Sequence, residues 1–250
     1  MASSIEDYLS GGYLVTQLVD GAPINAWMQN APKDLLPEKI ISVGLCSAPN
    51  APLFEWAGTS DKDYARFGIP AERRTELNIW STELFDKEIG YPNIFFSLST
   101  AREYVQRFTN GMDDIQIIGI GVHKENLYQI AELEQLHPRT IASTGAITAG
   151  FAGTGFAQAL KRSERPITGE MLGFDVICCF YSIEHSWHCS GLAADALERF
   201  NFRPNGLGLI DDKANADKLA NYANEQRIEG GVWLPVLVSR YPLVFSENQT

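Results

Sequence analysis

Residues 115–122, with the sequence Ile-Gln-Ile-Ile-Gly-Ile-Gly-Val, are the strongest candidate for a buried strand, and His123 follows them directly. Isoleucine and valine favour strands, and a nearly continuous apolar run is typical of a strand that is covered on both faces. Residues 174–181 have the same apolar character. We therefore predict that both runs form central, buried strands of one sheet.

Helical patterns and shorter strands alternate with these two runs. Helix-start residues occur at Pro70, Ser99 and Asp212; apolar residues recur at helical spacing after Pro70, and Asp212 can cap a polar helix. The predicted helices are 71–85, 100–108, 125–136, 192–200 and 213–226, and the further predicted strands are 39–46, 94–98 and 232–238. This order predicts an α/β or α+β fold, with residues 1–250 forming a single domain in which helices flank a mixed central sheet.

The charge balance bears on the class of partner. The chain holds 31 acidic and 20 basic residues, a formal net charge of −11. Nucleic-acid binding needs lysine and arginine side chains to displace counterions from phosphates, so this balance argues against a nucleic-acid partner. It favours rapid encounter with a basic partner, although an acidic composition is also common in proteins that have no such partner.

The sequence carries neither a secretory signal pattern at its first residues nor an apolar run long enough for a membrane span. Its four cysteines, two of them adjacent at Cys178 and Cys179, do not resemble a disulfide framework. We therefore expect a cytoplasmic protein with no membrane partner. Residues 141–160 are rich in glycine, but their spacing matches neither phosphate-loop pattern, which favours a loop running into a helix and predicts no cofactor.

The stretch Ser182-Ile-Glu-His-Ser-Trp-His-Cys-Ser-Gly191 concentrates reactive side chains between a predicted strand and a predicted helix. A zinc site would need four nitrogen or sulfur ligands, usually in two separated pairs. Here the candidate ligands crowd one short segment and no second pair occurs. We predict that His185, Trp187, His188 and Cys189 chiefly fix the turn, and that the protein holds no metal.

An enzyme remains an alternative at the same stretch. If the helix begins near Ser190, Cys189 lies at its N-terminus, where unpaired amides favour a thiolate. His123 could then act as a base, and Glu184 or Asp175 could orient it. In the simpler reading Cys189 is a small buried residue and His123 ends a strand, so that neither is catalytic.

The C-terminal third resembles uncharacterised bacterial proteins that occur near polymorphic or secreted toxins. The resemblance spans roughly 70 residues, and none of its pieces is a catalytic motif. The matching pieces are Leu172-Gly-Phe-Asp175, His185-Ser-Trp-His-Cys-Ser-Gly-Leu192, Asn205-Gly-Leu-Gly-Leu-Ile210, Gly231-Val-Trp-Leu-Pro235 and Arg240-Tyr-Pro242.

The resemblance implies an immunity protein that binds and neutralises a cognate bacterial toxin. An acidic inhibitor suits a basic nuclease, whose active cleft it would block. The acidic residues predicted to contact the toxin are Asp61, Asp63, Asp113, Asp114, Asp211 and Asp212. Turns and helix caps also favour Asp, which is the alternative explanation for the two Asp pairs. The other functional class is a hydrolase or transferase that acts on a small substrate through Cys189, His123 and Glu184.

Overall fold

The two long apolar runs form strands of one sheet in the computed structural model of the protein. The structure describes residues 5–20, 39–44, 50–55, 59–91, 93–109, 114–136, 138, 140–141, 143, 147–149, 154–162, 167–179, 183–188 and 192–243. The strands are β1 (Tyr8–Gln17), β2 (Val19–Asp20), β3 (Lys39–Ile40), β4 (Ile89–Gly90), β5 (Ile94–Phe95), β6 (Ile115–His123), β7 (Thr140–Ile141), β8 (Ile147–Ala149), β9 (Glu170–Cys179), β10 (Ile183–Ser186) and β11 (Val232–Tyr241). The helices are α1 (Asp61–Arg66), α2 (Ala71–Leu84), α3 (Leu98–Phe108), α4 (Leu127–Leu136), α5 (Thr154–Arg162), α6 (Leu192–Phe200) and α7 (Lys213–Glu225).

Seven strands form a curled, half-barrel sheet in the order β10-β9-β11-β6-β1-β5-β4. Every neighbouring pair in this sheet runs antiparallel. β6 lies between β11 and β1, and β9 lies between β10 and β11, so the prediction of two central, buried strands is confirmed. Residues 180–181 of the second run lie outside the described residues.

Both faces of the sheet are buried, because alternate side chains of each strand enter different cores. On β6, Ile115 and Ile117 belong to one core, and Ile118 and Ile120 belong to the other. Helices α1, α2, α3, α6 and α7 contribute to the first core, and α4 and α5 contribute to the second. The prediction of an α/β fold in which helices flank a central sheet is confirmed, but the sheet is antiparallel rather than mixed. The extent of the single domain over residues 1–250 stays a prediction.

Strand β1 was not predicted, because Ser10-Gly11-Gly12 interrupts its apolar pattern. The interruption is a β-bulge: the register against β6 shifts between Ser10 and Tyr13, and Gly12 has a φ of 100°. A side chain on Gly11 would overlap the ring of Phe156 on α5. The two glycines therefore bend the strand and let a helix pack closely against it.

The ends of several elements differ from the prediction. Helix α3 begins at Leu98 rather than residue 100, because the side chain of Ser97, not Ser99, accepts a hydrogen bond from the Thr100 amide. Helix α4 begins at Leu127, after a 3-10 turn at Lys124–Asn126. Of the predicted strand 39–46, only Lys39–Ile40 is a strand among the described residues, and residues 45–46 lie outside them.

The predicted helix after the glycine-rich segment is α5, and strand β11 extends three residues beyond its predicted end. In the part of the chain that the structure describes, no helix is both long enough and apolar enough to cross a membrane.

Candidate functional site

His123 ends β6 beside β1, where its ring packs edge-on against Tyr8 with 5.0 Å between centroids. Only 9% of its side chain is exposed. Nδ1 accepts a hydrogen bond of 3.3 Å from the amide of Glu125, and it lies 3.2 Å from Oε2 of the same residue. His123 thereby caps the 3-10 turn that leads into α4.

Two lysines connect this strand end with acidic side chains from three segments. Nζ of Lys213, at the start of α7, lies 2.6 Å from Asp217 and 3.7 Å from Glu125. Nζ of Lys124 lies 3.7 Å from Asp7. We define the strand-end surface as these side chains with their acidic sequence neighbours: Glu6, Asp7, Lys124, Glu125, Asp211, Asp212, Lys213 and Asp217. Its six carboxylates and two ammonium groups give a local formal charge of −4.

Asp211 and Asp212 have local structural roles in addition to their charge. Asp212 is the N-cap of α7, and its Oδ1 accepts a 2.8 Å hydrogen bond from the amide of Asn215. Asp211 accepts a 3.0 Å hydrogen bond from Nδ2 of Asn205. Both aspartates are exposed, so their charge faces solvent while these hydrogen bonds hold them in place.

The other predicted contact residues lie elsewhere. Asp61 pairs with Arg74, and Asp63 forms a capping box with Ser60 at the start of α1. Asp114 accepts a hydrogen bond from Gln17 at the opposite end of β6 from His123, about 30 Å away at about 3.3 Å per residue. Asp113 lies outside the described residues. The predicted residues therefore do not form one patch.

A second polar group lies inside the fold, around Asp175 of β9. The Asp175 carboxylate is completely buried; Oδ2 accepts a 2.9 Å hydrogen bond from the Val43 amide, and Ser42 Oγ lies 3.4 Å from Oδ2. Oδ1 accepts a 2.6 Å bond from the hydroxyl of Ser186 on the edge strand β10. Burial raises the pKa of Asp175 to about 6, and the hydrogen-bond donors oppose that rise.

This carboxylate connects three segments that are distant in sequence. Residues 39–44 are also hydrogen-bonded to the segment before α7. The Lys39 amide donates to the Gly206 carbonyl at 3.1 Å, and the Ile41 amide donates to the Leu207 carbonyl at 3.0 Å. Gly44 lies so close to the backbone of Ser186 that a Cβ on it would come within 2.4 Å of that amide nitrogen. Hydrogen bonds to Asp175 thus connect residues 42–43 with β9 and with the edge strand β10.

His188 and Trp187 have architectural positions in the segment that follows β10. Nε2 of His188 donates a hydrogen bond to the carbonyl of Gly208, and burial lowers the pKa of this histidine to about 4, against the raising effect of that bond. The amide of Trp187 donates to the carbonyl of Val176 at 2.8 Å. Cys189 lies outside the described residues, so its predicted role stays a prediction.

Of the alternative catalytic set, His123 and Glu184 lie on strands that are not neighbours in the sheet, and Cys189 lies outside the described residues. His123 ends β6, whereas Glu184 lies on β10, and β11 and β9 separate the two strands. At about 4.8 Å per strand, the strands are about 14 Å apart along the sheet. Within the described residues, no three His, Cys, Asp or Glu side chains lie together as a group that could hold a metal ion.

The strand-end surface and the Asp175 hydrogen bonds were missed at the level of sequence. An aspartate inside the apolar run Gly-Phe-Asp-Val-Ile-Cys-Cys was the available signal, because a buried carboxylate must find hydrogen-bond donors. The sequence could not name Ser42 and Ser186 as those donors. No protein-family model, curated protein or solved structure matches this chain.

Proposed function

We propose that this chain is an immunity protein that binds a basic bacterial toxin, a nuclease, and neutralises it by covering its active cleft. The observation that carries the proposal is the strand-end surface, where Asp7, Glu125 and Asp217 from three segments lie at two lysines, and where three further acidic residues adjoin them in the sequence. A nuclease cleft is basic because it must hold phosphates, so an acidic surface of this kind complements it in charge.

The geometry favours a particular subset of acidic residues. Asp211 and Asp212 directly precede Lys213, which lies 3.7 Å from Glu125, and Asp211 is hydrogen-bonded to Asn205, which begins one segment of the family resemblance. Asp61 has a guanidinium partner in Arg74, which reduces the charge it offers to another protein. We therefore expect Glu125, Asp211 and Asp212 to contact the toxin.

Charge on this surface acts in two ways. Exposed carboxylates raise the rate of encounter with a basic cleft, an effect that salt reduces. Pairs that lose their water in the complex contribute about 1.5–7 kcal/mol of coupling each. A toxin covered in this way cannot admit its phosphate-bearing substrate.

The test is a growth-rescue experiment with the cognate toxin, which is to be sought among the genes that neighbour the gene for this chain. Coexpression of the wild-type chain should restore growth, and the triple variant Glu125→Gln, Asp211→Asn, Asp212→Asn should rescue poorly. Asparagine retains the N-cap of α7, so the variant removes charge without removing the cap. Full rescue by this variant would contradict the proposed contact surface.

A matched control removes three charges elsewhere. The variant Glu72→Gln, Glu83→Gln, Glu132→Gln changes exposed residues of α2 and α4, and it should rescue growth like the wild type. Cys189→Ala should also rescue fully, because an inhibitor needs no nucleophile. Failure of the wild-type chain to protect, or loss of protection in Cys189→Ala alone, would contradict the inhibitor function.

A further inference from the structure

Three partly exposed aromatic rings lie together where α6 ends beside α7, and a lysine of α7 lies over two of them. The rings of Phe200 and Phe202 stack with 5.3 Å between centroids, and Tyr222 meets Phe200 edge-on, also at 5.3 Å. Nζ of Lys218 lies 4.7 Å from the centroid of Phe200 and 5.6 Å from that of Phe202. We refer to Phe200, Phe202 and Tyr222 as the aromatic cage.

The end of α6 places two of these rings side by side. Asn201 has a φ of 54°, and its amide donates to the carbonyl of Leu197 at 2.9 Å, which closes the helix with a left-handed residue. The amide of Phe202 then donates to the carbonyl of Ala196 at 3.0 Å. The chain therefore turns back, and the Phe202 ring lies against the Phe200 ring.

A carboxylate beside the third ring holds a second cation. Asp195 accepts a 2.8 Å hydrogen bond from Nε of Arg199, and its negative charge raises the pKa of Tyr222, after the larger effect of burial. The guanidinium carbon of Arg199 lies 5.3 Å from the Tyr222 centroid. The ring faces and the carboxylate together hold two cations, Lys218 and Arg199. This group has the chemistry of a cation-binding site, because the face of an aromatic ring attracts positive charge.

We propose that the aromatic cage receives an arginine side chain of a basic protein partner, and that Lys218 occupies the cage in the free protein. Lys218 is exposed and follows Asp217 of the strand-end surface in the sequence, so the cage lies beside the acidic surface. An exposed cation–π contact is weak, and the flexible lysine can leave when a guanidinium arrives. The identity of the partner rests on the proposed function; the cation chemistry of the cage does not.

The test is an NMR titration of the full chain with the peptide acetyl-Gly-Arg-Gly-amide, with acetyl-Gly-Gln-Gly-amide as the uncharged comparison. The arginine peptide should shift the ring protons of the cage residues in a saturable way, and the glutamine peptide should not. Lys218→Gln should tighten binding by about two- to fivefold, because it removes the competing cation. Phe200→Leu should abolish the shifts.

Matched variants separate the cage from bulk charge and from misfolding. Lys62→Gln makes the same charge change on α1, away from the cage, and should leave the affinity unchanged. Lys218→Gln leaves the three rings in place, so its effect does not depend on tolerance of the Phe200 change. Equal shifts from both peptides, or equal gains from Lys218→Gln and Lys62→Gln, would overturn the proposal.

The peptide titration contains no toxin, so it fails or succeeds independently of the growth-rescue experiment. Specific arginine binding without toxin protection would support the cage and contradict the proposed function. Protection that survives both Phe200→Leu and Tyr222→Leu, with no arginine-specific shifts, would support the proposed function and contradict the cage.

Discussion

The hydroxyl of Ser186 on the edge strand donates a 2.6 Å hydrogen bond to the carboxylate of Asp175 inside the sheet. The same carboxylate accepts a hydrogen bond from the amide of Val43, which lies 132 residues earlier in the chain. Donors of this kind partly compensate for the loss of water around a buried charge. The part of the desolvation cost that the donors do not compensate raises the pKa of Asp175. We therefore expect the stability of the protein to depend on pH.

Asp175→Asn should change the pH dependence of stability. The pKa of Asp175 is raised from 3.8 to about 6 in the folded protein, so its favourable contribution is complete below pH 3.8 and is lost as the pH rises through 6. The asparagine side chain does not ionise, and its oxygen can still accept a hydrogen bond from the Val43 amide. We expect the free energy of unfolding of the variant, relative to wild type, to rise by about 2 kcal/mol between pH 4 and 7, at 1.36 kcal/mol per pKa unit.

Urea denaturation across that pH range measures the change. Asp175→Ala is the comparison, because it leaves buried donors without their acceptor and should destabilise the protein at every pH, by about 1–3 kcal/mol for each donor. A difference between Asp175→Asn and wild type that stays constant with pH would contradict the assignment.

His188→Gln should have the opposite effect. Burial lowers the pKa of His188 from 6.5 to about 4, so its contribution is complete above pH 6.5 and is lost as the pH falls through 4. We expect the stability advantage of wild type over the variant to shrink by about 3 kcal/mol from pH 6.5 to 4. The glutamine amide can still donate to Gly208, and denaturation at several pH values tests the slope.

Gly44→Ala should destabilise the protein through a backbone overlap. The added Cβ would lie 2.4 Å from the amide nitrogen of Ser186, so the segment or β10 must move. We expect a loss of about 1–3 kcal/mol in thermal or urea denaturation, as for other overpacked sites. Gly206→Ala is the matched control, because no heavy atom lies within 4 Å of its added Cβ. Equal effects of the two substitutions would show that close packing at Gly44 is not the cause.

Asp212 provides a test of helix capping that is separate from charge. Its carboxylate accepts the amide of Asn215, so Asp212→Ala should lower the free energy of unfolding by about 1 kcal/mol. Asp212→Asn should cost much less, because asparagine caps helices about as well as aspartate. Urea denaturation of the two variants at one pH makes the comparison; equal losses would indicate that charge, not capping, is responsible.

Much of the secondary structure could be predicted because it depends on neighbouring residues. The apolar runs of β6 and β9, the exact bounds of α6 and the Asp212 cap of α7 all follow from local patterns. Strand β1 could not be predicted, since its bulge at Gly11 and Gly12 resembles a turn until β6 and Phe156 are in place.

The sequence by itself determined the acidic balance, the two buried strands and most of the helices, because side-chain periodicity and capping act over a few residues. Only the tertiary structure decided which polar groups meet. Val43 and Asp175 are 132 residues apart, and two strands, β11 and β9, lie between the strand of His123 and the strand of Glu184. A buried carboxylate needs donors, but the pairing of strands and the packing of segments on the sheet determine which donors come within 3 Å.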